Sequence, residues 1–291
     1  MFLTLVPPRA GAVPSTRATV LDLHSIPSEE AKLIHLLLGT TDFIHTASAT
    51  RLSQRQNFAV LGLPTAIRGK KGLSSALAAQ SIDRQLLNAC LSKSITQNSL
   101  YGELFDEFSR YFWHTKFDRA TQAFLHLYRA LERMAYAFPI AYAMKSSDYK
   151  GTYTNFRNYV LAKDNTAELA FFRAFLRDLI DAPTLNTKLR LDVSANSAPY
   201  IPAHYDTLTK IFSGNSIVNR SPNVYVEIEY KSLLGGFIEL RNRYFHFMSG
   251  NPNNLSGSNI PEPEEFFSTV NPHMANWLAY IYFRILELRA S

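Results

Sequence analysis

The stretch Leu233-Leu-Gly-Gly-Phe-Ile-Glu-Leu-Arg-Asn-Arg-Tyr-Phe-His-Phe-Met248 joins an apolar run to a dense cluster of basic and polar groups. Its apolar residues recur at three- and four-residue intervals, the repeat of an α-helix. Leu234, Ile238, Arg241, Phe245 and Met248 form one stripe, so Arg241 interrupts an apolar face. An arginine placed there needs an anionic partner, a contact with a second copy or an edge position. Glu239, Asn242, Arg243 and His246 form a polar stripe, and Asn242 and His246 are four apart, within hydrogen-bonding reach. Positions five apart on a regular helix point roughly 140° from each other. Arg241 and His246 therefore do not share a face of one helix, and a site using both is easiest to assemble about a two-fold axis between copies. A capped helix end is the plainer reading, since basic groups and histidine are favoured in a last turn for electrostatic reasons alone.

Arginine followed by histidine at similar spacing also occurs as Arg17/His24 and Arg119/His126. Arg17 lies in a Pro- and Ser-rich lead-in, and Arg119 opens a helix, the unfavourable end for a cation. Only Arg241/His246 closes a long apolar helix. Arg241-Asn242 followed by His246 resembles the R-x4-H signature of HEPN domains, including the polar residue after the arginine. The resemblance covers roughly the last 170 residues. It implies a helical, usually dimeric protein, many of whose relatives are metal-independent ribonucleases of toxin and phage-defence systems. Some toxin branches carry a tyrosine two residues after the histidine, which a partner antitoxin modifies. Here that position is Met248, which argues against this mode of control.

A chain of 291 residues holds one large or two modest domains. Apolar content of 46% is enough for a sizeable core, and 20 Phe with 15 Tyr make it aromatic-rich. A net charge of +6 suggests a polyanionic partner. A single cysteine, Cys90, rules out an internal disulfide and a Cys-based zinc cluster, and fits a cytoplasmic location. The run Gln85–Leu91 around it reads as a helix face with an inert thiol. Met1–Val6 is apolar but stops at Pro7-Pro8 without a basic lead, so no signal peptide and no membrane span are expected. The seven histidines other than His246 show no metal-ligand spacing with nearby acids, and no nucleophile elbow occurs.

Residues 1–27 read as extended or short-strand structure. Ser28 caps a helix that Gly39 ends. Residues 40–73 read as loop or weak strand; within them Ile67–Gly72 gathers three cations between glycines, a solvated turn or a phosphate contact. Helices are expected over 74–92, 101–117 and 119–145, the last kinked or ended at Pro139. Within the second of these, Arg110–Lys116 mixes bases and aromatics, a composition that stacks on nucleobases or forms core with a polar rim. Further helices are expected over Tyr153–Ala162, from an Asn165/Glu168 capping box, and over Tyr205–Phe212, with an extended segment at Leu185–Val193. The alternation of Asn223–Tyr230 reads as strand, but Ser221-Pro222 reads as a helix start, and helix is favoured because it would run on into 231–248. Gly235-Gly236 marks close packing or a kink. A turn-rich loop, Gly250–Pro261, follows the site as a plausible substrate lip, and Asn271-Pro272 starts the last helix.

The expected fold is mainly α: an N-terminal mixed, mostly helical region over 1–100 with no recognised role, and a HEPN-like helical bundle over 101–291. The resemblance implies RNA cleavage by attack of the ribose 2′-OH on its own phosphate. His246 would move the proton and Arg241 stabilise the phosphate charge. Asn242 would orient the histidine, with Arg243 as a further phosphate contact. Glu132, in the helical phrase Leu127–Arg133 that looks like the opening helix of such a bundle, is the supporting acid; a surface pair with Arg129 or Arg133 is its plainer role. No cofactor or metal is required. The expected partners are RNA, a second copy of the chain, and an antitoxin or activator. The competing reading is a non-catalytic helical module that binds RNA or a protein.

Overall fold

The computed structural model describes residues 2–6, 28–62, 65–66, 77, 82, 84–93, 98–144, 148–161, 167–212, 216–245 and 253–290. The molecule is mainly α. Three small antiparallel sheets lie among ten α-helices in these residues.

Helix α1 (Glu29–Leu38) forms as its sequence dictates. The Ser28 hydroxyl accepts from the Ala31 N–H, two acids occupy the first turn, and Gly39 closes the helix at φ 64°. A Cβ at Gly39 would stand 2.7 Å from the Arg55–Gln56 backbone, so only glycine serves. The helix is buried on nearly every side. Short strands pack beside it: β1 (Leu3–Leu5), β2 (Asp42–His45) and β3 (Arg51–Ser53) form one sheet, β4 (Gln56–Asn57) and β5 (Thr65–Ala66) a second.

Helix α2 (Arg84–Lys93) is followed by the long antiparallel neighbours α3 (Asn98–Lys116) and α4 (Ala120–Ala143). Pro139 does not end α4. The helix continues past it, and Phe138 and Pro139 are both buried, which offsets the lost backbone hydrogen bond. Helices α5 (Tyr149–Leu161), α6 (Ala167–Leu179) and the short α7 (Ala182–Leu185) come next. The expected cap at Asn165 and the basic segment Ile67–Gly72 lie outside the described residues.

A third sheet then forms, in the order β6 (Lys188–Asp192), β8 (Tyr225–Glu229), β7 (Ile217–Ser221), with α8 (Ile201–Ile211) between β6 and β7 in sequence. Here the expected helix over 223–230 is corrected. Val226 and Ile228 are buried on one face while Tyr225, Glu227 and Glu229 are half-buried on the other, and Asn223 takes the left-handed conformation (φ 61°) of the preceding turn. The alternation and the turn residue outweighed the Ser-Pro signal.

Strand β8 leads directly into α9 (Tyr230–Tyr244), and the chain ends in α10 (Pro263–Ala290). The last helix begins earlier than expected. Asn271 does not cap it; its side-chain amide is buried and donates to the Ala120 carbonyl. Glu264 and Glu265 in the first turn suit the true start, and Pro272 is accommodated within the helix.

One core runs through the whole molecule, from Leu33 and Phe43 to Leu104, Phe124, Phe237 and Trp277. It crosses residue 100 without interruption. The buried carboxylate of Glu30 in α1 pairs with Arg289 in the last turn of α10, and the same guanidinium donates to the Tyr101 hydroxyl. Asn276 donates to the carbonyls of Phe58 and Val60, and the Gly62 N–H donates to the Tyr230 hydroxyl.

Candidate functional site at the end of α9

Leu233, Leu234, Phe237, Ile238 and Leu240 bury one side of α9. Gly236 is explained by packing: a Cβ there would stand 1.9 Å from the Phe212 ring. Phe124 of α4 lies against Phe237 (4.3 Å between ring centres) and stacks on Phe245 (5.4 Å, 14°), fixing the end of α9 against α4.

At that end Arg241 follows Leu234 and Ile238 along the apolar stripe, but where these two are buried, the arginine is half-buried at the core edge. Three groups hold it. Its Nη1 donates to Asn242 Oδ1 (3.1 Å), Nη2 lies 3.8 Å from Glu132 Oε1, and the guanidinium sits 4.7 Å from the centre of the Tyr128 ring. Glu132 therefore turns to Arg241, while Arg133 pairs with Glu103 and Glu107. Burial pushes the Tyr128 hydroxyl above its ordinary pKa; Arg241 opposes this and Glu132 adds to it. Tyr128 is thus a neutral ring beneath the guanidinium, a cation–π arrangement.

Arg243 is engaged by Glu239 one turn earlier (2.5 Å). The Phe245 N–H donates to the Arg241 carbonyl, and the Leu255 N–H donates to the Arg243 carbonyl (both 2.9 Å). The chain leaves α9 at Phe245 and is back on its last turn at Leu255. His246, next in sequence after Phe245, and Met248 lie outside the described residues. The fold therefore brings Arg241, Asn242 and Glu132 together at the α9–α4 contact, while Arg243, two positions on, is bound to Glu239 of its own helix.

A second polar cluster escaped the sequence reading. His126 Nδ1 lies 2.8 Å from the buried Glu107 carboxylate, and the His114 ring stacks on His126 at 5.3 Å and 6°. Burial is the main cause that lowers the His114 pKa, followed by His126, Arg119 and Arg110, with Glu264 acting the other way. These residues come from the facing sides of α3 and α4, so no linear spacing announces them. The aromatic-basic run Arg110–Lys116 resolves into core and rim: Tyr111 and Phe112 are buried, Trp113 stacks on His45, and Arg110 covers Phe2. His35 is structural, bonded through Nδ1 to Thr40.

Among the described residues no group of three His, Cys, Asp or Glu is placed to hold a metal ion, and no helix is long and apolar enough to cross a membrane. The chain matches no protein-family model, no curated protein and no solved structure, so its likeness to HEPN proteins rests on the residues quoted above.

Proposed function

We propose that the protein is a metal-independent endoribonuclease of the HEPN type, acting as a toxin or anti-phage effector. The observation that carries this reading is Arg241. It ends an apolar helix at the core edge, is half-exposed, and is oriented by Asn242, Glu132 and Tyr128 rather than being spread over solvent. A guanidinium held this way is suited to bind a phosphate and to stabilise charge growing on it. His246, five positions on, takes the proton of the ribose 2′-OH as it attacks the phosphate or gives one to the departing 5′-oxygen. The positive net charge favours a polyanionic substrate.

Two copies complete the site. A stripe of exposed apolar side chains continues along α4 beyond Glu132, namely Tyr136, Ile140 and Met144, with exposures of 51%, 54% and 73%. A second copy covering this stripe would bring two α9 ends toward one axis. Tyr136→Arg with Ile140→Arg is expected to yield a monomer by sedimentation.

The test is RNA cleavage in EDTA by wild type, Arg241→Ala and His246→Ala, including conditions of phage infection or cell stress that trigger such effectors. Cleavage abolished by either substitution is expected. Cleavage by wild type that both variants match, or none under any trigger, would remove the proposal. The same exposed stripe favours the second reading, a non-catalytic module docking on a protein or RNA. In that case the substitutions would alter binding without any turnover.

A further inference from the structure

A groove of about 480 Å³ lies between the N-terminal sheet and the end of α3, bordered by Arg51, Ser53, Arg55, Thr115 and Lys116. Three cations from three segments meet there: Arg51 on β3, Arg55 on the link to β4, and Lys116 at the last position of α3. Among the described residues no carboxylate lines the groove, but one lies behind it. Asp42 of β2, its side chain 4% exposed, holds both arginines. Arg51 reaches one carboxylate oxygen through Nε (2.8 Å) and Nη2, and Arg55 reaches the other through Nη2 (2.7 Å).

One carboxylate balances one guanidinium, so the second arginine and Lys116 leave the groove with positive charge in excess. Both arginine side chains stay more than half exposed, at 61% and 53%. Each guanidinium has five N–H donors. Asp42 takes only some of them, and among the described residues no other group takes the rest. Lys116 Nζ donates to the Arg51 carbonyl and lies 5.7 Å from the centre of the Phe117 ring. The lysine therefore sets Phe117 at the rim of the groove. The ring is 43% exposed. It packs on Trp113 (4.7 Å between centres), which stacks in turn on His45 (4.0 Å, 30°). Much of an aromatic surface is thus open to solvent on a firm support.

We infer that this groove holds a single-stranded polynucleotide, with a phosphate on Arg51, Arg55 and Lys116 and the neighbouring base on Phe117. Guanidiniums steadied by a buried carboxylate bind phosphate oxygens through their remaining N–H donors. An exposed ring beside a cationic track suits a single strand, because every base has a π-face to stack. A duplex keeps its bases paired inward and offers the ring nothing. Naming the strand as RNA rests on the ribonuclease reading; the preference for a single strand does not. The N-terminal region, which contributes nothing to the Arg241 cluster, then serves to hold the substrate strand.

The test titrates the full chain against a dye-labelled dodecamer of 2′-O-methyl RNA, which lacks the attacking hydroxyl and so survives the measurement. Anisotropy is followed over a range of NaCl concentrations, with DNA of the same sequence and the matching RNA duplex as the other arms. Saturable binding of the RNA strand is expected, roughly tenfold or more tighter than of the duplex. Arg55→Gln/Lys116→Gln, which leaves Asp42 its Arg51 partner, should weaken it roughly tenfold or more. The log–log salt slope should become shallower by about 1.4, the share of two phosphate contacts on a single strand. Phe117→Ala and Phe117→Leu should each weaken binding roughly fivefold or more at an unchanged slope, and Phe117→Trp should retain it. Arg173→Gln/Arg177→Gln removes the same charge from exposed positions on α6 and should stay within about twofold of wild type. Thermal melts check that each variant folds. No saturable binding, a duplex bound as tightly, a Phe117→Ala protein that binds like wild type, or an equal loss from the α6 variant overturns the proposal. A DNA strand bound roughly tenfold tighter than RNA overturns the assignment to RNA. RNA cleavage by wild type, with undiminished binding by the groove variants, removes the groove and leaves the ribonuclease. Lost binding by those variants, with no cleavage under any trigger, does the reverse.

Discussion

Arg241 on α9 and Glu132 on α4 face one another, with Nη2 and Oε1 3.8 Å apart and the Tyr128 ring beneath the guanidinium. The pair is partly exposed, so it contributes little to stability, on the order of 0.5 kcal/mol or less. In the proposed ribonuclease its role is to aim the guanidinium. Glu132→Gln is expected to leave the urea midpoint nearly unchanged while lowering RNA cleavage roughly ten- to a hundredfold. Arg241→Ala should cost about a hundredfold or more. Initial rates measured beside urea melts separate the two effects. A fall in stability that matched the fall in rate would give Arg241 a structural role instead.

His273 gives the protein an acid-sensitive element. The ring is buried in α10, its Nδ1 has no partner among the described residues, and burial drives its pKa down to about 4, against a small opposing pull from Asp192. The unfolded chain binds this proton near the ordinary value of about 6.5. The folded state resists it, so the stabilising contribution is complete above about pH 6.5 and shrinks as pH falls toward 4. The total is on the order of 3 kcal/mol. His273→Leu should flatten that part of the stability–pH curve, as read from urea melts between pH 7 and 4.

Gly236 is required by Phe212. Gly236→Ala sets a methyl group into the ring, and the protein should lose about 1–3 kcal/mol. Phe212→Leu in the same background should recover part of it. Additive losses, measured by chemical denaturation, would mean that the two do not meet.

The Glu30–Arg289 pair is buried, with Glu30 only 1% exposed. Glu30→Ala leaves the guanidinium without its carboxylate and should cost roughly 3–5 kcal/mol. Replacing both, as Glu30→Leu with Arg289→Met, should restore much of the loss, because the pair is dispensable when both charges go. Thermal melts of the single and double variants decide this.

The helices were legible wherever the periodicity was long. The apolar face of α4 from Ala123 to Phe138 and the Ser28/Gly39 punctuation of α1 follow from spacing and caps alone. Strand β8 is masked in the sequence, because a Ser-Pro start signal and continuity with α9 compete with the alternation of Val226 and Ile228. Asn271 has the local chemistry of a cap, yet its amide is committed to Ala120, a residue 151 positions away. Linear pattern carries no trace of such a bond. The same holds for His114, His126 and Glu107, which meet only because α3 and α4 pack face to face. Arg241 and Glu132 stand out in the sequence for separate reasons, and their meeting follows from the α9–α4 contact.

The way α1 is enclosed bears on how the gene product tolerates division. Its leucines are covered on every side, and its carboxylate is clasped by the far end of the chain. A protein expressed from residue 101 onward would bare the greasy flanks of α3 and α10 to solvent. Such a half is expected to precipitate, and co-expression of the two halves, rather than either alone, is the route to soluble material.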